Sequence, residues 1–127
     1  MNYNELIDSA IKAKEFAYVP YSNFKVGAAI ITKDGKIFTG CNIENASYGA
    51  TNCAERTAIY KAISEGNRDF EAIAIVSSSG NFTPPCGICR QVIAEFMPNG
   101  IVILANDKGE IRKYSTSELL PIKFDLL

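Results

Sequence analysis

The chain is organised around one eight-residue stretch, residues 83–90, TPPCGICR. Cys86 and Cys89 stand there in a Cys-x-x-Cys spacing, which brings two sulfurs within reach of one metal ion. An earlier segment, residues 52–56, NCAER, supplies a third sulfur at Cys53 if the fold brings the two segments together. Three thiolates leave one position of a tetrahedral zinc ion for water, whereas closed structural zinc sites use four protein ligands. The number of sulfurs therefore favours a catalytic metal site.

A glutamate stands two residues after this third cysteine. Glu55 can lie beside a metal-bound water without binding the metal itself, and from there it can accept and return protons. The chain contains no histidine, which excludes Ser-His-Asp triads, Cys-His nucleophiles and His-based zinc proteases. A carboxylate is then the natural proton carrier, and Glu55 is the best-placed candidate.

Length and charge narrow the class of protein further. A chain of 127 residues is long enough for one domain, 1–127, with a real hydrophobic core. Its 13 basic and 14 acidic residues give a formal net charge of -1, so no polybasic surface is offered to a phosphate backbone and nucleic acid is not an expected partner. The N-terminus lacks the pattern of a signal peptide, and no apolar run reaches membrane-spanning length. We therefore expect a cytoplasmic protein without a membrane partner.

The hydrophobic pattern predicts alternating helices and strands. In order, the expected elements are an amphipathic helix ending before Pro20, a β-hairpin over residues 26–42, a helix from its N-cap Asn52 to Gly66, a strand over residues 72–76, a helix ending before Pro98, and a hairpin over residues 101–114. Small residues at 27–29 predict a helix packed closely on the first strand. This order predicts a three-layer α/β/α sandwich with a five-stranded mixed β-sheet. Residues 119–127 are more apolar than a free tail should be, so they are expected to dock on the body or on a second subunit.

Two other classes of protein remain open at this point. The CGIC sequence at residues 86–89 also describes a thioredoxin-like disulfide centre at the start of a helix, but that interpretation leaves Cys53 and Glu55 without a role. A binding module with structural zinc needs a fourth ligand, for which Cys41 is the one further sulfur. Cys41 follows Gly40 in an apolar segment, and a small buried residue is its simpler interpretation.

The two cysteine segments together resemble the signature of the zinc deaminases, in which a ligand-x-Glu sequence is followed by Pro-Cys-x-x-Cys. Residues 53–55, CAE, and residues 85–89, PCGIC, match that signature. Residues 21–29, YSNFKVGAA, and residues 40–48, GCNIENASY, are similar to the small cytidine deaminases, and the likeness covers nearly the whole chain. Blasticidin deaminase has a similar size and three cysteine ligands but lacks the NIEN type of loop, so the resemblance favours cytidine.

This resemblance implies a reaction and a cofactor. The reaction is the hydrolytic deamination of cytidine and deoxycytidine to uridine and deoxyuridine plus ammonia, a step of pyrimidine salvage. One zinc ion per chain, held by Cys53, Cys86 and Cys89, would provide the hydroxide that attacks C4 of the ring. Glu55 would be the proton shuttle. A protein of this kind acts on the free nucleoside.

Three thiolates bring a difficulty of their own, because their charge makes zinc a poorer Lewis acid. Arg56 directly follows Glu55, and Arg90 directly follows Cys89. We expect a guanidinium from one of these arginines to donate hydrogen bonds to sulfur and so withdraw charge from the metal site. The alternative is that either arginine is only a surface residue.

The resemblance also implies a set of substrate contacts. Asn42 and Glu44 would hydrogen-bond the ribose, chiefly its 3'-hydroxyl, so that both cytidine and deoxycytidine bind. Phe24 would pack near the nucleoside, and the backbone amide of Ala54 would meet the base carbonyl. The homotetramers of this family place a C-terminal aromatic residue over the pyrimidine of a neighbouring subunit, and Phe124 is the matching candidate here.

Overall fold

The fold is a five-stranded mixed β-sheet with helices on both faces. The structure is a computed structural model, and it describes residues 3–126. The elements are α1 (Asn4–Lys14), β1 (Val26–Thr32), β2 (Ile37–Cys41), a short 3₁₀ helix (Tyr48–Ala50), α2 (Ala54–Ser64), β3 (Phe70–Ser77), α3 (Gly87–Phe96), β4 (Ile101–Ala105), β5 (Ile111–Ser115) and α4 (Thr116–Leu119). The strand order is β2-β1-β3-β4-β5, with β3 and β4 parallel and the other neighbours antiparallel. The predicted α/β/α architecture is confirmed.

The sheet separates two hydrophobic cores. On one face, Leu6 and Ala10 of α1 pack with small residues of the strands, among them Ala29. On the opposite face, Ile59 of α2 and Ile93 of α3 pack against the sheet. β1 is buried along its whole length, which explains why it reads as a continuous apolar run rather than an alternating one. Within residues 3–126 no helix is both long and apolar enough to cross a bilayer.

Two glycines allow helices to approach the strands closely. A Cβ atom added at Gly27 in β1 would lie 2.0 Å from the carbonyl oxygen of Ala10 in α1. A Cβ atom added at Gly40 in β2 would lie 2.4 Å from the amide nitrogen of Ala58 and 2.6 Å from the carbonyl oxygen of Ala54, both in α2. The predicted close packing of a helix on the first strand is therefore confirmed. Gly40 has the same function for α2, the helix that carries one half of the candidate site.

The structure differs from the prediction at the end of α1 and in the presence of α4, because hydrophobic periodicity does not define helix ends or very short helices. α1 ends before Pro20 as predicted, but its last regular residue is Lys14, and the amides of Phe16 and Ala17 donate to carbonyls three residues back. α4 was not predicted, because four residues are too few to show a helical period. It is stabilised by a capping box, in which the Ser115 hydroxyl and the Glu118 carboxylate each accept the other residue's backbone amide.

Candidate metal centre and active site

Three cysteine sulfurs meet at the N-termini of α2 and α3. Cys53 is the N-cap residue of α2, Cys86 is the N-cap residue of α3, and Cys89 lies in the first turn of α3. All three Sγ atoms lie within 4.8 Å of one another, and the Sγ atoms of Cys53 and Cys86 are 3.9 Å apart. A tetrahedral zinc ion with Zn–S bonds of about 2.3 Å separates its sulfurs by about 3.8 Å. The three sulfurs therefore fit one zinc ion, and their predicted grouping is confirmed.

The start of α2 differs from the prediction at its N-cap. Cys53, not Asn52, occupies that position, and the Asn52 side-chain amide instead donates to the hydroxyl of Thr57 at 3.1 Å. The Thr57 hydroxyl in turn donates to the carbonyl oxygen of Cys53 at 3.1 Å. The reason is that Asn52 is paired through its backbone with Ile43, which places the first residue able to cap the helix one position later. The prediction of Asn52 as N-cap is wrong.

Arg56 brings a positive charge to the sulfurs. Its Nη2 atom donates to Cys53 Sγ at 3.2 Å, and its buried Nε atom has no hydrogen-bond partner within residues 3–126. Hydrogen bonds from the Cys89 thiol and from Arg56 lower the pKa of Cys53, although burial opposes the shift. Three thiolates and one Zn²⁺ carry a net charge of -1, which one guanidinium balances. The contact between Arg56 and Cys53 suits a metal site with this charge.

Arg90 makes a different set of contacts. Its Nε atom donates to the carbonyl oxygen of Pro85 at 2.9 Å, and its Nη1 atom donates to the carbonyl oxygen of Leu119 at 3.0 Å. Neither bond goes to a sulfur. Pro85 directly precedes Cys86, and Leu119 is the last residue of α4, so Arg90 joins the metal-binding loop to the C-terminal part of the chain.

Glu55 lies in the first turn of α2 and is only 5% exposed. Burial raises the pKa of its carboxyl to about 7. A group with such a pKa can both accept and donate protons near neutral pH, as general acid–base catalysis requires. The carboxylate follows the first sulfur by two residues, so the helix start that positions Cys53 positions Glu55 as well.

The fourth cysteine stands apart from this group. Cys41 is the last residue of β2 and is half-buried, so it is more exposed than a core residue. Within residues 3–126 the cluster able to hold a metal ion comprises Cys53, Cys86 and Cys89, without Cys41. A closed structural zinc site therefore lacks its fourth thiolate. A disulfide centre is equally disfavoured, because a third sulfur lies beside the Cys-x-x-Cys pair.

The two residues assigned to the ribose hold the loop that precedes β1. Asn42 accepts a hydrogen bond from the Val26 amide at 2.9 Å and donates one to the Phe24 carbonyl oxygen at 2.8 Å. The Glu44 carboxylate accepts from the Ser22 amide at 3.1 Å and also from the Ser22 hydroxyl. The hydrogen bond from that hydroxyl lowers the pKa of Glu44. These bonds place Asn42 against Phe24 and Glu44 against Ser22, two residues earlier in the same loop.

Backbone bridges connect this loop to the cysteine segment. Ile43 pairs with Tyr18 on one side and with Asn52 on the other. Asn52 is followed by Cys53 and then by Ala54, which is fully buried at the start of α2. The candidate ribose contacts and the first metal-binding residue therefore belong to one hydrogen-bonded unit.

A cavity of about 320 Å³ adjoins Glu44. Its lining residues are Tyr21, Ser22, Glu44, Asn45, Tyr48 and Thr51. Sequence reasoning assigned no role to Tyr21, Ser22 or Tyr48. The available signal was the concentration of hydroxyl groups in the two segments that flank the first hairpin.

Phe124 lies in the tail after α4, and its side chain is 69% exposed. The tail is nevertheless bound to α3 through its backbone. The Gln91 side-chain amide donates to the Phe124 carbonyl oxygen at 2.9 Å, and the Phe124 amide donates to Gln91 Oε1 at 3.0 Å. The tail therefore docks on the body of its own chain while the aromatic ring stays exposed. Gln91 was not singled out from the sequence.

A zinc ion on these three thiolates would keep one position for water, and a glutamate two residues after the first ligand, as Glu55 stands after Cys53, is the arrangement of the zinc-dependent deaminases. Comparison with known families leads to the same class, since residues 1–105 match the model of the "Cytidine and deoxycytidylate deaminase zinc-binding region". The chain belongs to this family of hydrolases. Zinc is its cofactor, and the three cysteines are placed to hold it.

Similar proteins match along almost their entire length. The cytidine deaminase of Halalkalibacterium halodurans is 57% identical over 125 residues, which cover 98% of this chain and 95% of that protein. The cytidine deaminase of Sporosarcina psychrophila is 52% identical over 125 residues, covering 98% of this chain and 92% of that protein. The crystal structure of cytidine deaminase from Burkholderia pseudomallei has a TM-score of 0.93 and 52% sequence identity, and the match covers 98% of this chain and 100% of that one.

Proposed function

We propose that the protein catalyses the zinc-dependent hydrolytic deamination of free cytidine and deoxycytidine, giving uridine and deoxyuridine plus ammonia in pyrimidine salvage. The observation that carries this proposal is the buried Glu55 two residues after Cys53, beside three sulfurs that fit one zinc ion. The relatives named above, 57% and 52% identical, are cytidine deaminases. The formal net charge of -1 suits a free nucleoside better than a polynucleotide.

A zinc ion held by Cys53, Cys86 and Cys89 would supply an activated water for attack on C4 of the cytosine ring. Glu55 accepts the proton of that water and delivers it to ring atom N3, which makes C4 electrophilic. Glu55 then carries a second proton, taken from the hydroxyl now on C4, to the exocyclic amine. The C4–N bond breaks, ammonia leaves, and C4 becomes the carbonyl carbon of uridine. Because Glu55 is buried, it exchanges protons with the substrate rather than with bulk solvent. Arg56 stabilises the negative charge of the sulfurs through its contact with Cys53.

We assign the nucleoside contacts to residues around the first hairpin. Asn42 and Glu44 hydrogen-bond the ribose, chiefly its 3'-hydroxyl, and Phe24 packs near the nucleoside. An amide group carries two donors and a carboxylate about four acceptor positions, so both side chains can bind a hydroxyl in addition to their bonds within the loop. The backbone amide of Ala54, at the start of α2, meets the base carbonyl, because the first amides of a helix have no partner within the helix.

We further propose that the enzyme is a homotetramer in which Phe124 of one chain reaches the active site of a neighbour. The support is the exposure of three apolar tail residues, since Ile122, Phe124 and Leu126 are 88%, 69% and 86% exposed. A second copy of the chain would cover this apolar segment. A role in its own active site is the alternative, and the mixing experiment described in the Discussion separates the two.

We infer a cytoplasmic location and one catalytic domain over residues 1–127. None of the four cysteines forms a disulfide within residues 3–126, which suits a reducing compartment. α2 and α3, whose N-termini bring the three sulfurs together, pack on the same face of a single sheet, so neither half of the metal centre forms a separate unit.

The test is the ultraviolet absorbance of the purified protein with cytidine or deoxycytidine, together with zinc quantification. The wild type should convert both substrates, whereas Glu55→Ala should lose turnover while zinc stays near one per chain. Glu65→Ala, at the far end of the same helix, is the matched control and should retain activity. If zinc is bound but neither nucleoside reacts, the proposal is wrong. Blasticidin would then be the next substrate, and failure there would favour a structural-zinc module.

A further inference from the structure

We propose that Gln91 is a positioning residue that sets the register of the C-terminal tail, so that Phe124 rather than Ile122 or Leu126 stands at the position that reaches a neighbouring active site. This inference rests on the proposed function, because it takes Phe124 as the side chain that reaches a neighbouring active site. Gln91 acts through Phe124 and does not itself contact the substrate.

The side chain of Gln91 forms two hydrogen bonds with the backbone of a single residue, Phe124. Gln91 Nε2 donates to the carbonyl oxygen of Phe124 at 2.9 Å, and Gln91 Oε1 accepts from the amide of the same residue at 3.0 Å. A primary amide offers a donor and an acceptor side by side, so it can satisfy both polar groups of one residue at once. If the tail slipped by even one residue, both bonds would have to form with a different residue.

The register of the tail has to be fixed by hydrogen bonds because the tail has three similar apolar residues. Ile122, Phe124 and Leu126 stand at alternate positions and are all largely exposed, while Lys123 and Asp125 between them form an ion pair of 2.8 Å. A slip of two residues would keep the apolar residues on one side and would replace the aromatic ring by an aliphatic chain. Hydrophobic attraction is non-directional and cannot prevent that slip, whereas a pair of hydrogen bonds can.

The tail is also held at its start by the neighbouring residue of the same helix. Arg90 Nη1 donates to the carbonyl oxygen of Leu119, and Arg90 Nε donates to that of Pro85 beside the metal-binding loop. Arg90 and Gln91 are consecutive residues of α3, and Cys89 precedes them directly. The tail is therefore fixed at two points to the rigid element that also carries two of the metal-binding cysteines, which keeps the position of Phe124 defined relative to the site.

The first experiment measures hydrogen exchange of the Phe124 backbone amide in the zinc-loaded, full-length enzyme. Gln91→Ala removes both bonds and should speed this exchange about tenfold. Gln91→Glu keeps the acceptor for the amide but loses the donor to the carbonyl, so a smaller increase is expected. Glu95→Ala is the matched control, because Glu95 lies one turn further along α3 and lines a cavity of about 470 Å³ with the tail. It should leave the exchange unchanged.

The second experiment separates KM from kcat for cytidine. Gln91→Ala should raise KM roughly five- to twentyfold, with Gln91→Glu intermediate, while kcat, zinc content and the unfolding temperature stay close to wild type. Gln91→Ala should add little to KM once Phe124→Ala is present, because two residues acting through one contact are not additive. A purely structural role would instead lower the unfolding temperature and affect KM and kcat together.

Two results would overturn the inference. One is unchanged exchange at Phe124 in Gln91→Ala, which would mean that the amide does not hold the tail. The other is an effect of Gln91→Ala on KM that persists in full in the Phe124→Ala background. If Phe124→Ala itself leaves KM unchanged, the proposed function of Phe124 fails instead, and the exchange measurement still decides whether Gln91 fixes the tail.

Discussion

Arg56 donates a hydrogen bond from Nη2 to the Sγ atom of Cys53 over 3.2 Å. Arg90, the other arginine that directly follows a residue of the site, donates to the backbone carbonyls of Pro85 and Leu119 instead. The contact of Arg56 places a positively charged group beside a thiolate. The two contacts of Arg90 hold two segments of the chain together. The two arginines therefore differ in what their removal should change.

Replacing Arg56 with glutamine should slow turnover much more than it weakens zinc binding. A hydrogen bond to a charged group contributes about 1.5–3 kcal/mol, so we expect kcat for cytidine to fall roughly 10- to 100-fold while zinc stays near one per chain. Steady-state kinetics and metal analysis of the same preparations test this. Arg56→Lys, which keeps the charge, should lose less. An unchanged rate in Arg56→Gln would contradict a charge-balancing role.

A methyl group at Gly40 should displace α2 from the sheet. The added Cβ would lie 2.4 Å from the Ala58 nitrogen and 2.6 Å from the Ala54 oxygen, and both are backbone atoms that cannot turn away. Overpacking of this kind costs about 1–3 kcal/mol. We expect Gly40→Ala to lower the unfolding temperature and also the zinc affinity, because α2 begins at Cys53.

The control for Gly40→Ala is Gly87→Ala in the first turn of α3. A Cβ atom at Gly87 meets nothing within 4 Å in the described part of the chain, so this change should be close to neutral in thermal unfolding. Equal unfolding temperatures for the two variants would show that the close approach at Gly40 does not constrain α2.

The proposed exchange of tails between subunits can be tested by combining two defective chains. Phe124→Ala should raise KM for cytidine, because the site loses an aromatic contact, and Glu55→Ala should be inactive. When the two variants are co-expressed and assemble together, the Glu55→Ala chain supplies an intact Phe124, and the Phe124→Ala chain supplies an active site with an intact Glu55. We expect a fraction of sites with wild-type KM. Kinetics that match Phe124→Ala alone would show instead that the tail acts in its own chain.

The thiols should differ in reactivity according to burial and metal occupancy. Burial raises the pKa of Cys41 above its ordinary value of 9.0, and a raised pKa means less thiolate at any given pH. Alkylation of Cys41 in the zinc-loaded enzyme should therefore be slow near neutral pH and should still be increasing above pH 9. Peptide mapping by mass spectrometry measures this rate, and a plateau below pH 9 would contradict it.

Removal of zinc with a chelator should change which of the metal-binding cysteines are alkylated, and the same peptide mapping measures this. Cys86 is exposed and Cys89 is buried, so Cys86 should be alkylated first once the metal is gone. With zinc bound, both should be protected. Modification of Cys89 before Cys86 would mean that the first turn of α3 opens when the metal leaves.

Much of the fold and the grouping of the sulfurs could be predicted because they depend on short-range patterns. The apolar run of β3 and the helical period of α2 predict elements that burial then requires to pack in layers. The Cys-x-x-Cys spacing of Cys86 and Cys89 brings two sulfurs together within one turn whatever the rest of the chain does. Glu55 follows Cys53 by two residues, so its place beside the metal centre is equally local.

By itself, then, the sequence determined the α/β/α architecture, the set of candidate ligands and the absence of histidine chemistry, since these depend on residue type and spacing within one element. Only the tertiary structure decided that Arg56 donates to a sulfur whereas Arg90 donates to the carbonyl oxygen of Leu119. It also decided that Cys53 rather than Asn52 is the N-cap of α2, and that the side chain of Gln91 is hydrogen-bonded to the backbone of Phe124. The last pair is 33 residues apart in the chain. Directional contacts over such separations depend on how the layers pack, and no local pattern of hydrophobicity encodes them.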